Sequence, residues 1–452
     1  MRRTTVLPAA AALAAVALVA GSSAGSSAGS FAGAAGSSPA ASEGSSRPAA
    51  AGTTAGTRDV MFVGNNWEGT ATVVDARTYE PLRTVDMVPD KDERMREILA
   101  SPDKLAFYLA IQQGVGEGHD QYTDDMFTTH DGQMVAVSRP SFADVVGIDL
   151  ASGEILWRFP MEGYRADHMG VSPDGERLLV SDSTANKVHE LDLRTGEKLR
   201  EFPSGDTPHE NNYTADGSRI FHASIGRVYT PVDRPELGAA YDTAKGERVF
   251  QIVRDSDLEI LQRWDMGKEL AEAGYPGMES AVRPMAVAPD ERFVYLQVSF
   301  FHGFVEFDTQ AADPEQTYEG EPTVGKVRRV VPLPDRTDGL PREQYVLDSA
   351  HHGLAMNERG TTLCAAGTMS DYAAIVDRTT LQHEIVDVGA KPYWSTNGVT
   401  GEECWVSVSG DDKVVVIDYR DASVLAEIPV GDHPQRVRLG TVAGDVLRSW
   451  GG

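Results

Sequence analysis

The chain has 452 residues, a formal net charge of −27 and 24% charged side chains. So acidic a chain has no surplus of Lys and Arg to cover phosphates, which excludes nucleic acid and anionic lipid surfaces as partners. Its 41% apolar content suffices for a sizeable core, and the acidity reads as solubility outside the cell.

Arg2 and Arg3 precede an apolar run from Val6 to Ala20, with small residues around Gly21 and Ala24. A basic start, a short apolar stretch and a small-residue cleavage site mark residues 1–24 as a signal peptide, so the expected location is secreted. The run falls short of the ~20 residues a spanning helix needs, and no membrane insertion is expected. Residues 25–57 are nearly all Gly, Ala, Ser, Thr and Pro, which cannot bury enough apolar surface to offset their ordering entropy. They are expected to form a disordered linker.

From Val60 onward three features recur. Runs rich in β-formers end in Asp, as in Thr72–Asp75, Val146–Asp149, Glu190–Asp192, Val305–Asp308, Ala374–Asp377 and Val416–Asp418. Turn dipeptides precede new strands, as in Asp131-Gly132, Asp174-Gly175 and Asp216-Gly217, where Gly tolerates the positive φ of a tight hairpin. A Gly-x-x-Pro spacing recurs at Gly205–Pro208, Gly389–Pro392 and Gly431–Pro434. Equivalent Asp residues stand about 42 apart where no insertion intervenes, within the ~40–45-residue period of a four-stranded propeller blade.

Second strands of each unit are expected at 60–64, 134–138, 177–181, 219–223, 293–298, 362–366 and 404–409, hence seven blades. The chain enters at a second strand and leaves with an extra first strand, Arg436–Leu439. The expected fold is therefore all-β: a seven-bladed β-propeller of four-stranded blades over residues 58–445. The C-terminal strand pairs into the first blade and closes the ring, which removes the open seam. Residues 446–452 are read as a tail.

Leu178–Asp182 with Ala185–Val188, and Val406–Asp411 with Lys413–Asp418, resemble YVTN-type repeats of YncE-like seven-bladed propellers. The resemblance covers roughly residues 59–440. It implies the fold but no single activity, since such propellers include binding proteins, lactonases, lyases and subunits of quinone- and metal-dependent oxidoreductases.

The period stretches at 89–121, 225–245, 309–325 and 334–350. Three of these insertions fall in connections that share one face, the entrance side of the channel, and long structured loops are more often functional than short ones. The starts of the innermost strands point to the axis on that face. They carry Asp125, Asp167, His168, His209, Glu210, Asn211, Arg283, His352, Trp394 and Arg436, and neighbouring loops add His302 and Tyr372. His351 and His352 are adjacent, so on a strand they point to opposite faces and one of them faces the axis.

Three chemistries stay open for this ring. His168, His209 and His352 could hold a divalent transition metal with open positions for a ligand. His with Glu210 or Asp167 could move protons near neutral pH. Arg283 and Arg436 could clamp an anion against Trp394. The plain alternative is a set of polar groups that satisfy one another around a water-filled channel. The preferred expectation is a monomeric binding protein for a small molecule at this mouth. The alternatives are a metal-dependent lactonase or lyase at the same site, and a scaffold for an extracellular protein.

Cys364 and Cys404 lie on second strands of neighbouring units, with opposite parity relative to their turns. One can face the next blade and the other can face back. A disulfide and a pair of buried free thiols are equally open.

Overall fold

The computed structural model describes residues 56–227, 239–276, 278, 282–340, 345 and 349–451. The expected signal peptide and nearly all of the linker lie outside the described residues.

Seven four-stranded antiparallel sheets form the blades. Their innermost strands touch in succession, and the innermost strand of blade seven meets that of blade one, closing the ring. Closure follows the expected route: Pro434–Ala443 pairs antiparallel with Thr57–Asn65 and becomes the innermost strand of blade one. All seven second strands fall where the repeat places them, within one to three residues at each end.

Alternation along the strands explains how the blades stack. Successive side chains point to opposite faces, so Val60 and Phe62 pack on blade two, while Met61 and Val63 pack on blade seven. Each of the seven blade interfaces carries its own apolar cluster. The recurrent Asp of six of the seven third strands holds the following turn; blade four has Arg254 in its place. Asp149 accepts backbone N–H bonds from Ala151 and Ser152, and Asp192 and Asp377 do the same two and three residues on.

Parity also decides the cysteines. Cys364 faces blade seven and Cys404 faces back, within one cluster. They form a disulfide, with Cα atoms 6.4 Å apart.

The insertions take definite shapes. Residues 89–121 form two helices, Lys91–Leu99 and Pro102–Gln113, between blades one and two. The 309–325 insertion lengthens the outer hairpin of blade five into strands Gly303–Tyr318 and Glu321–Pro332. In the 225–245 insertion, Ala239–Lys245 is helical. Residues 341–344 and 346–348 of the last insertion lie outside the described residues. The repeat reading did not foresee the helix Met266–Glu272 after blade four, capped by the Asp265 side chain. Beyond the closing strand, Gly444–Ser449 is a short helix. It buries Val446 on the interface of blades one and two, and Trp450 donates to the carbonyl of Leu150.

Candidate functional site

The innermost strands share a feature that positions the site. Five of them carry a bulge at the same end, opposite regular second strands. The bulged stretches hold Asp167-His168, His209, Arg283-Pro284, Tyr393-Trp394 and Gln435-Arg436. A bulge re-aims side chains and breaks strict alternation, so consecutive residues can both reach the axis. Three of these stretches follow a left-handed residue ahead of Pro: Thr207, Lys391 and His433, with φ of 53°, 54° and 55°. That conformation underlies the Gly-x-x-Pro spacing.

At the axis, His168 of blade three, His209 of blade four and His352 of blade six come together. One ring nitrogen from each lies within 4.8 Å of the others, and all three side chains are buried. Blades three and six are not neighbours, so these imidazoles meet only across the centre of the ring. His352 stacks on Tyr393 with centroids 4.1 Å apart, whereas His351 turns to the hydroxyl of Tyr372 at 3.0 Å. The adjacent pair therefore diverges.

The groups around the three imidazoles are equally buried. Glu210 Oε2 lies 2.7 Å from His168 Nδ1. Burial holds the His168 imidazole well below its ordinary pKa, and Arg436 and the other two imidazoles push it the same way. In the neutral ring, the tautomer that donates Nδ1–H to Glu210 leaves the lone pair on Nε2. Burial pushes Glu210 up to about 7, with Arg438 and Arg436 opposing and Asp125 adding. Asp124 also rises to about 7 through burial, which Arg436 opposes and Asp167 and Asp125 reinforce.

Arg436 lies against His168 Nε2, 3.4 Å from Asp124 Oδ1, with its guanidinium 4.3 Å from the Trp394 ring centre. Asp167 accepts a hydrogen bond from Ser183 at 2.8 Å and pairs with Arg165 at 3.2 Å. A second potential ligand group joins Asp124 and Asp167 to His168.

The structure thus gathers His168, His209, His352, Asp167, Glu210, Trp394 and Arg436 in one centre. Asp125 stands beside it, paired with Arg438 through two bonds of 2.7 Å and accepting from the Met169 backbone. Asn211 bridges blades three and four, donating to Ser181 and accepting from His222. His302 and Tyr372 belong to a separate group with His351 and Tyr345, where His302 Nε2 lies 2.8 Å from the Tyr345 hydroxyl. Arg283 is on the innermost strand of blade five, and its side chain lies outside the described residues. His119 and His433 stack on the two faces of Trp67, at 3.8 and 3.7 Å, and tie the end of the helical insertion to the ring.

Sequence reasoning missed Asp124 and Arg438. Arg438 was legible as the residue two beyond Arg436 on the same strand face. Asp124 was not, because strict alternation assigns only one of Asp124 and Asp125 to the axis.

No protein-family profile and no curated protein matches the chain. Among solved structures, a chain of hydrazine synthase from Kuenenia stuttgartiensis is similar at 13% identity, over 67% of this chain and 96% of that one, with a TM-score of 0.38. So distant a likeness carries no argument about chemistry, and the seven-bladed ring rests on the chain's own sheets.

Proposed function

We propose that this protein is a secreted, YncE-like propeller that binds a small ligand through a divalent transition metal held by His168, His209 and His352. One observation carries the reading: three buried imidazoles from three blades bring ring nitrogens within 4.8 Å of one another. Nitrogen ligands around a tetrahedral ion at ~2.0–2.1 Å sit roughly 3.3 Å apart, so closure needs side-chain movements of about an ångström. Neutral imidazole suits zinc, copper or nickel. Glu210 supplies the carboxylate partner that orients a ligating His. The Cys364–Cys404 disulfide supports secretion, because disulfides persist in oxidising compartments.

Metal analysis of the purified full chain tests this reading. About one equivalent is expected, and His209→Ala is expected to lose it. Sub-stoichiometric metal after supplementation, or an unchanged content in His209→Ala, would overturn it.

Three protein ligands leave a coordination position open, the pattern of catalytic rather than structural zinc. That favours, as a second reading, a lactonase or lyase at the same centre. Metal-dependent turnover of a lactone panel, abolished in His352→Ala, would establish it.

A further inference from the structure

The charges around the three imidazoles constrain the ligand itself, and this step rests on the metal reading above. Arg436 is 2% exposed, and among the described residues its Nε and Nη1 have no hydrogen-bond acceptor. Its Nη2 lies against His168 Nε2. Glu210 holds the other nitrogen of that ring, so Nε2 is the atom left for a metal. Arg436 and a metal therefore contest one lone pair, and metal binding leaves the guanidinium with Asp124 alone, its Nε and Nη1 still lacking acceptors.

The charge count points the same way. Among the described residues of the centre, Asp124, Asp125, Asp167 and Glu210 face Arg165, Arg436 and Arg438. Even with all four carboxylates ionised they cannot balance three guanidiniums and a divalent ion together, which leaves at least one net positive charge. A buried excess charge is costly unless paired, and a single negative charge balances it. Trp394 and Tyr393 flank the guanidinium, at 4.3 and 5.6 Å from ring centre to guanidinium carbon, and limit where its donors can point.

We infer that the ligand of this centre is a small monocarboxylate, with one oxygen on the metal and the other on the Arg436 guanidinium. A planar fork of N–H donors matches a carboxylate better than a point charge does.

The test uses the full chain loaded with cobalt(II), whose visible spectrum reports on its ligands. Acetate is expected to change the spectrum saturably, and acetamide, its neutral counterpart of similar shape, is not. Arg436→Gln is expected to keep cobalt, bind it at least as tightly, and weaken acetate tenfold or more. Arg436→Lys should fall between the two. Equal responses to acetate and acetamide, or tighter binding of inorganic phosphate than of acetate, would overturn the inference from the wild-type protein alone. Equal acetate affinity in wild type and Arg436→Gln would also overturn it, leaving the metal reading intact. Failure of the wild type to bind cobalt would remove both.

Discussion

Glu210 Oε2 lies 2.7 Å from His168 Nδ1, so a carboxylate of blade four sets the ring orientation of an imidazole on blade three. Orienting partners of this kind matter about as much as the ligands they hold. Glu210→Gln keeps an acceptor but loses the charge that raises imidazole basicity. Metal affinity in that variant is expected to fall about 10–100-fold, measured by competition against a chromophoric chelator. Unchanged affinity would mean that the His168–Glu210 contact does not support a metal ligand.

The ring of blades was legible because its signals are periodic. Asp at the ends of third strands, Asp-Gly turns and the Gly-x-x-Pro spacing are each fixed by local backbone chemistry, and the phasing of Thr57–Asn65 with Pro434–Ala443 follows from them. The candidate centre was legible only as far as alternation reaches. His168, His209, Glu210 and Arg436 were found because they sit at repeat-equivalent positions, but Asp124 was hidden by the local backbone that lets neighbours share the axis. His302 sits on the loop expected of it, whereas Tyr372 opens the strand Tyr372–Asp377, and their partners come from loop conformations that no periodicity encodes. The helix Met266–Glu272 was missed because the lengthened spacing between blades four and five was assigned to the 225–245 insertion alone.

Arg139 offers a test of how the helical insertion is fastened. Its fully buried guanidinium donates twice to Asp144 at 2.8 Å and also pairs with Asp90 at the head of helix Lys91–Leu99. Removing one partner of a buried ion pair strands the other charges. Arg139→Ala is expected to lose about 3–5 kcal/mol of stability, with early proteolytic cleavage within 91–113 while the rest of the ring stays resistant. Wild-type cleavage kinetics in the variant would count against this role.

The Cys364–Cys404 bridge joins blades six and seven across 40 residues of sequence. The loop-entropy account places such a bridge at about 4 kcal/mol. Cys364→Ala with Cys404→Ala is therefore expected to unfold at lower denaturant and to exchange amide hydrogens faster along the blade-six and blade-seven strands. Thiol titration of unfolded wild type without reductant should find no free thiol. Two free thiols would contradict the bridge directly.

His222 gives the acid side of the stability curve. It is fully buried between blades three and four, with Nδ1 2.8 Å from Asn211 Oδ1 and Nε2 2.6 Å from Ser204 Oγ. Those partners suit the neutral ring, which donates from Nδ1 and accepts at Nε2, and burial pushes its pKa from 6.5 down to about 3. In the unfolded chain the ring takes up a proton near 6.5, while in the folded chain it resists. The unfolded state therefore binds more protons between pH 6.5 and about 3, and stability falls as the pH drops through that window. The slope from this residue alone approaches about 1.4 kcal/mol per pH unit. His222→Gln cannot titrate, so it should be less stable than wild type at pH 7 through lost packing, yet lose less on acidification. The two curves of unfolding free energy against pH should converge between pH 6 and 4. Parallel curves would show that His222 does not contribute to acid sensitivity.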